Sequence, residues 1–335
     1  MLAGGSNIGI GGDYVDSVEI LSHEFATANR KLAKLPKDIA ENPSLFLSGD
    51  TLLICGGFNN ENKCLKQENN SWIEHSTLNN NRTYASAVTT ADGTFIFGGE
   101  YSSETFEFLP KNSKVWKVGR TKIPDGFSSG CAVEVPGKSK ILLIGGLERK
   151  KRILIFNIDD ETFEGMKIST ERKKGFEYHT CARLPDTNLI VIAGGFVDNS
   201  TDIETQDLTE ILDIEDNTIM QGNPLNIKRQ GHGMAEITID NEPRLAVFGG
   251  IEEVDYLYSD FSIKGKRKRR ASDDTENGLA LETLNPRTRQ WEISDLKLNN
   301  YEFGYISLSK DFVSRLAVSS GQEEEDYEEI SSGID

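Results

Sequence analysis

The chain has 335 residues, a net charge of −17 and 37% hydrophobic residues, enough apolar material for a sizeable core. So acidic a surface repels nucleic acid and anionic membranes over most of its area, and no apolar run approaches the ~20 residues of a membrane span. No signal peptide is visible ahead of the first element, and Cys55, Cys64, Cys131 and Cys181 show neither metal-ligand spacing nor a dense disulfide pattern, so they are read as thiols in a cytoplasmic monomer.

The first predicted element is MLAGG, an apolar run closing on Gly4-Gly5. The signature returns as LLICGG (Gly56-Gly57), FIFGG (Gly98-Gly99), ILLIGG (Gly145-Gly146), VIAGG (Gly194-Gly195) and LAVFGG (Gly249-Gly250). The second glycines are 52, 42, 47, 49 and 55 residues apart. A recurrence at this period marks a repeat architecture. Gly11-Gly12 lies off the register and reads as a loop, because no strand-length apolar run precedes it.

A second track runs through the same units. It comprises Glu19-Ile-Leu21, Lys63-Cys-Leu65, Glu107-Phe-Leu109, Leu154-Ile-Phe156, Glu210-Ile-Leu212 and Glu282-Thr-Leu284, each with a large apolar third residue. Nine residues after the first position stand Ala28, Trp72, Trp116, Phe163, Ile219 and Trp291. That interval holds through loops of very different length, so both tracks belong to one structural unit.

Each unit reads as four short strands. Strand a carries patterns such as YASAVTT (Tyr84 to Thr90) and MAEITI (Met234 to Ile239), and a tight turn leads to strand b, the apolar run ahead of the glycines. The unbroken apolar character of strand b predicts burial on both faces. Glycine at its end permits close backbone approach. Strand c is the Glu-x-Leu segment, and strand d carries the Trp position.

The Gly-Gly runs, the Glu-x-Leu segments and the later Trp resemble kelch repeats, over about residues 1–321. The resemblance implies an all-β fold, a six-bladed kelch β-propeller with four antiparallel strands per blade and strand a lining a central channel. Ala28 and Ile219 depart from the aromatic usual at the strand d position. Complete a–b pairs are expected at about 44–55, 84–97, 130–144, 179–193, 232–248 and 304–318. The closing blade is then shared between the N- and C-terminal segments, with Leu316-Ala317-Val318 as its strand b and Met1-Leu2-Ala3 competing for the place. A long loop insertion spans 251–278, and 322–335 reads as a disordered acidic tail containing EEEDYEE.

The chemistry is sparse. His179 and His232 share the start of strand a, and with Arg229 they form the channel-mouth candidates. His and Arg at this position are common structural residues in kelch repeats, and no Asp or Cys completes a metal-ligand set. The reading is therefore a non-catalytic protein–protein interaction module, with no metal and no cofactor. The alternative is a carbohydrate-binding or sugar-modifying, mutarotase-like propeller using the channel mouth. From each second glycine to strand c run 14, 6, 8, 8, 15 and 32 residues, so the long b–c loops gather on one arc of one face. Long loops on a rigid scaffold are where partners dock. In the longest, Tyr256, Tyr258 and Phe261 are candidate anchors, followed by the basic run Lys264 to Arg270, in which Lys266, Arg267, Lys268, Arg269 and Arg270 would meet an acidic partner. Ser272 follows Arg269-Arg270-Ala271 as a possible phosphorylation site. Three Asn-x-Ser/Thr sequons, at Asn69, Asn81 and Asn199, are about as many as chance supplies in this composition and matter only in a secreted protein.

Overall fold

The structure, a computed structural model, describes residues 2–3, 6–7, 18–20, 30–31, 33–36, 42–57, 62–69, 71–146, 152–168, 177–198, 203–239, 241–252, 279–298, 300–301 and 304–305. It is an all-β propeller of four-stranded antiparallel blades. Strands a to d of the first blade are Ser44–Ser48, Thr51–Cys55, Lys63–Glu68 and Ser71–Thr77. Those of the second are Ser86–Thr89, Gly93–Phe97, Phe106–Pro110 and Lys117–Val118; of the third, Cys131–Val135, Lys140–Ile144, Ile153–Asn157 and Thr162–Gly165. The fourth has Thr180–Arg183, Leu189–Ala193, Thr209–Asp213 and Thr218–Gln221, and the fifth Gly233–Ile239, Glu242–Phe248, Leu279–Leu284 and Trp291–Leu298.

Five blades are thus complete among the described residues, against the six expected. A further sheet of two- and three-residue strands is ordered Gly304–Tyr305, Leu2–Ala3, Val18–Ile20, Arg30–Lys31. Gly304–Tyr305 neighbours the innermost strands of both the fifth and the first blade. One expectation is corrected here. Leu2 pairs with Tyr305 on one side and with Glu19 on the other, so Leu2–Ala3 holds the place expected of Leu316 to Val318. The physical reason is nearness along the chain: only residues 4–17 separate the run from Val18–Ile20, the strand it pairs with, so closing that pairing costs less loop entropy than bringing in a run from the far end. Residues 316–318 and the acidic tail lie outside the described residues.

The core sits between blades. Strand b alternates its side chains between two neighbours. Phe95 and Phe97 of the second blade pack with Ile141, Leu143 and Phe156 of the third, while Ile96 packs with Phe46, Leu53 and Cys55 of the first. Leu142 and Ile144 of the third blade face Ile190 and Ile192 of the fourth. A strand with core on both faces needs an unbroken apolar run. Trp116 and Trp291 are buried where strand d begins, and each indole reaches the preceding blade, Trp116 Nε1 donating to Ser76 Oγ (3.2 Å) and Trp291 Nε1 to Thr209 Oγ1 (3.3 Å). Trp72 is only half-buried and donates to the Ala33 carbonyl at 2.9 Å.

The reading of the cysteines as thiols is also corrected. Cys55 and Cys64 are directly opposed on strands b and c and form a disulfide with Cα atoms 4.1 Å apart. Cys131 and Cys181 stand on the innermost strands of adjacent blades and form the second, with Cα atoms 5.8 Å apart. Pairs 9 and 50 residues apart in sequence meet only because the blade folds back on itself and its neighbour packs alongside.

Candidate functional site

The blades converge at the start of strand a, and the backbone there has an unusual conformation. Asn42, Tyr84, Ser129, Tyr178 and Gly231 occupy one repeat position, and all have φ between 52° and 59°. Bulky side chains rarely adopt this region, so Tyr84 and Tyr178 are genuine outliers. A chain of hydrogen bonds holds them. Ser129 N–H donates to the Tyr84 carbonyl (3.1 Å), Tyr178 N–H to the Ser129 carbonyl (2.9 Å), and Gly231 N–H to the Tyr178 carbonyl (3.0 Å). Two residues later each blade reaches its neighbour again. Ser44 Oγ donates to the Ala85 carbonyl, Ser86 Oγ to the Gly130 carbonyl, Thr180 Oγ1 lies 2.8 Å from His232 Nε2, and Cys131 makes the disulfide to Cys181.

The glycine pairs complete this mouth. Gly194 has φ +64°, and a Cβ there would fall 2.6 Å from the Arg229 carbonyl oxygen and 2.5 Å from His232 Cε1. Gly99 N–H donates to the Phe127 carbonyl of the next blade, as Gly195 N–H does to the Arg229 carbonyl. The first glycine of a pair admits the next blade, and the second hydrogen-bonds to it.

Inside the ring lies a cavity of about 300 Å³. Its walls include Ser44, Ser86, Ser129, Thr180, His179, His232, Tyr84 and Tyr178, and among the described residues no Asp, Glu, Lys or Arg. The Tyr84 and Tyr178 rings meet edge to face, centroids 5.3 Å apart, although the third blade lies between theirs in order. Burial, with the nearby Arg229 and His179 charges adding to it, holds the His232 imidazole well below its ordinary 6.5. His232 therefore stays neutral.

Of the three channel-mouth candidates, His179 and His232 line the cavity and Arg229 does not. Arg229 is fully buried, donating to the Gly249 and Ala280 carbonyls and to Glu282 Oε1 at 2.8 Å. Its twin is Arg82, which donates to the Gly98 and Thr105 carbonyls and to Glu107 Oε1 through Nε and Nη2. The match extends further. Asn79 donates through its backbone and side-chain N–H to Glu107 and through Nδ2 to the Trp116 carbonyl. Asn226 does the same with Glu282 and the Trp291 carbonyl. The Glu of strand c is thus a buried anion that fastens the incoming link, and the constant nine-residue interval to Trp places a carbonyl for the same Asn. Asn-x-x-Arg, at Asn79 to Arg82 and Asn226 to Arg229, was the available signal for this cluster.

Tyr256, Tyr258, Phe261, Lys266, Arg267, Lys268, Arg269, Arg270 and Ser272 lie outside the described residues. The face of the b–c connections carries two extra antiparallel pairs, Phe196–Asp198 with Ile203–Thr205 and Ser6–Asn7 with Asn300–Tyr301. The first is built into the b–c connection of the fourth blade. Sequence reasoning also missed Tyr101, 55% exposed in the b–c connection of the second blade, and the mouth tyrosines. Among the described residues no group of three or more His, Cys, Asp and Glu gathers to hold a metal. Comparison with protein-family models finds no match for the chain, and comparison with curated proteins finds none.

Proposed function

We propose that the chain is a six-bladed, kelch-type propeller acting as a non-catalytic scaffold that binds a protein partner on the face carrying the b–c connections. The two strained tyrosines carry this reading. Backbone strain persists where the surroundings impose it, and it gathers at binding and switch sites. Gly231 occupies the same position without strain, so the fold does not require a tyrosine there. Tyrosine supplies large, amphipathic contact area and is enriched at interface hot spots. Tyr101, Tyr84 and Tyr178 lie on the face carrying the b–c connections, and the basic run 264–270, which the sequence puts between strands b and c of the fifth blade, would add attraction for an acidic partner.

The test uses a Tyr84→Gly/Tyr178→Gly variant, in which glycine suits the positive φ. Quantitative affinity capture from source tissue should lose a specific partner while the melting temperature is held or rises. Equal capture by both proteins would refute docking at the mouth. The second reading, a carbohydrate site, is favoured by the uncharged, hydroxyl-rich wall of the cavity. Ligand-observed NMR with a panel of neutral monosaccharides would support it through saturation transfer that His179→Ala abolishes.

A further inference from the structure

We propose that Asn81 carries an N-linked glycan and that the chain matures in an oxidising, glycosylating compartment, contrary to the cytoplasmic location expected from the sequence. The argument begins with Thr83. Its side chain is fully buried, and its Oγ1 makes no hydrogen bond. A buried hydroxyl without a partner is destabilising and calls for an explanation. Ser129 Oγ, one repeat position on in the third blade, is likewise buried without a partner, so the orphan hydroxyl points to Asn81 only together with the sequon and the disulfides. At the equivalent position of the fifth blade, Gln230 uses its side chain, donating to Thr205 Oγ1 at 3.0 Å. In the second blade valine would fill the same space with no polar atom to bury.

The hydroxyl has a use before folding. Thr83 closes the sequon Asn81-Arg82-Thr83, in which the transferase reads the hydroxyl two residues after the acceptor. In the transfer, the Asn81 amide nitrogen forms a bond to C1 of the first sugar. The bond from C1 to the phosphate oxygen of a lipid-pyrophosphate-linked oligosaccharide breaks, the lipid pyrophosphate leaves, and the amide proton passes to a base. Folding then buries Arg82 and Thr83, while Asn81 remains exposed on the link between the first and second blades. The glycan therefore projects into solvent. Its position, three residues before Tyr84 and on the link whose Thr83 carbonyl accepts from Glu100 N–H (2.9 Å), sets the glycan at the rim of the mouth beside Tyr84 and Tyr101, so a partner would dock around it. The Asn69 sequon lacks this signature, because Ser71 is exposed and its hydroxyl needs no explanation.

The cysteines supply the independent observation. The chain has four, and all are paired. Disulfides persist in oxidising compartments and are rare where glutathione keeps thiols reduced. The compartments that form them in eukaryotic cells also hold the glycosylation machinery.

Peptide mapping of the protein isolated from its source organism tests the proposal. The Asn81 peptide is expected to be detected only after enzymatic deglycosylation, with Asn81 converted to Asp, and no cysteine should alkylate before reduction. An unmodified Asn81 peptide, or thiols that alkylate without reductant, would overturn it. Variants secreted from eukaryotic cells separate the hydroxyl's two possible roles. Thr83→Val should lose the Asn81 glycan and, compared after deglycosylation, melt at the same temperature or higher; Thr83→Ser should keep the glycan. A Thr83→Val protein melting several degrees lower would give the hydroxyl a folding role and remove the basis of the proposal.

Discussion

Glu107→Gln preserves the shape of a side chain and removes its charge, which isolates what the buried anion does. The Glu107 carboxylate accepts from Asn79 N–H (2.7 Å) and Nδ2 (2.8 Å), Asn80 N–H (3.0 Å) and Nδ2 (3.1 Å), and Arg82 Nε (3.2 Å) and Nη2 (3.0 Å). Both side chains of the ion pair are 0% exposed. Every partner is a donor, so the amide nitrogen of Gln would face N–H groups wherever it is placed. The Arg82 charge would also remain buried without a counterion. Removing one member of such a pair costs roughly 3–5 kcal/mol, a large share of the ~5–15 kcal/mol that holds a typical domain folded. Urea melts followed by tryptophan fluorescence measure it, with m-values confirming that the transition stays cooperative. Glu282→Gln should lose a similar amount, because Asn226 and Arg229 repeat the geometry. Loss below about 1 kcal/mol in either variant would refute the argument that the strand c glutamate fastens the link between blades.

Trp116→Ala and Trp291→Ala should each cost about 3–5 kcal/mol in denaturant melts, and Trp72→Ala clearly less, since only the first two are fully enclosed. Reducing both disulfides should destabilise the fold. Cys131→Ser/Cys181→Ser, which opens a 50-residue loop, should account for more of the loss, roughly 4 kcal/mol, than Cys55→Ser/Cys64→Ser with its 9-residue loop, by calorimetry. Gly194→Ala should lower the melting temperature, because its Cβ would overlap the Arg229 carbonyl at a φ unsuited to alanine. Stability should fall as pH drops below about 6.5, where the unfolded chain protonates His232 and the folded one refuses the proton, by up to ~1.4 kcal/mol per unit. His232→Gln should flatten that slope in melts between pH 5 and 7.

The repeat was legible because strand b must be apolar on both faces and must end where two backbones touch. Period and blade anatomy follow from those demands, which is why runs such as FIFGG and VIAGG marked their blades correctly. The identity of the closing strand b was not legible, since Leu2–Ala3 and Leu316 to Val318 satisfy the same local pattern and only pairing decides between them. The disulfides were hidden for a related reason. Cys131 and Cys181 are adjacent only because consecutive innermost strands lie side by side, and nothing in their spacing says so. Arg229 looked like a channel residue because it precedes His232 closely, but the left-handed turn at Gly231 separates them, sending the arginine to Glu282 and the histidine to the cavity. The tyrosines were the hardest to see: their significance rests on φ, which a sequence does not display.

Site-specific photocrosslinking reads out whether the b–c face of the propeller binds a protein partner. A photoreactive amino acid replaces Tyr101 on the b–c face in one protein. In another it replaces Asn69 at the c–d turn on the opposite face, where the side chain is exposed. Each protein is irradiated in extract from the source tissue and analysed by mass spectrometry. A discrete crosslinked protein species is expected from position 101, absent from position 69 and lost when Tyr84→Gly/Tyr178→Gly is added. Equal crosslinking from both faces, or none from position 101, would contradict it.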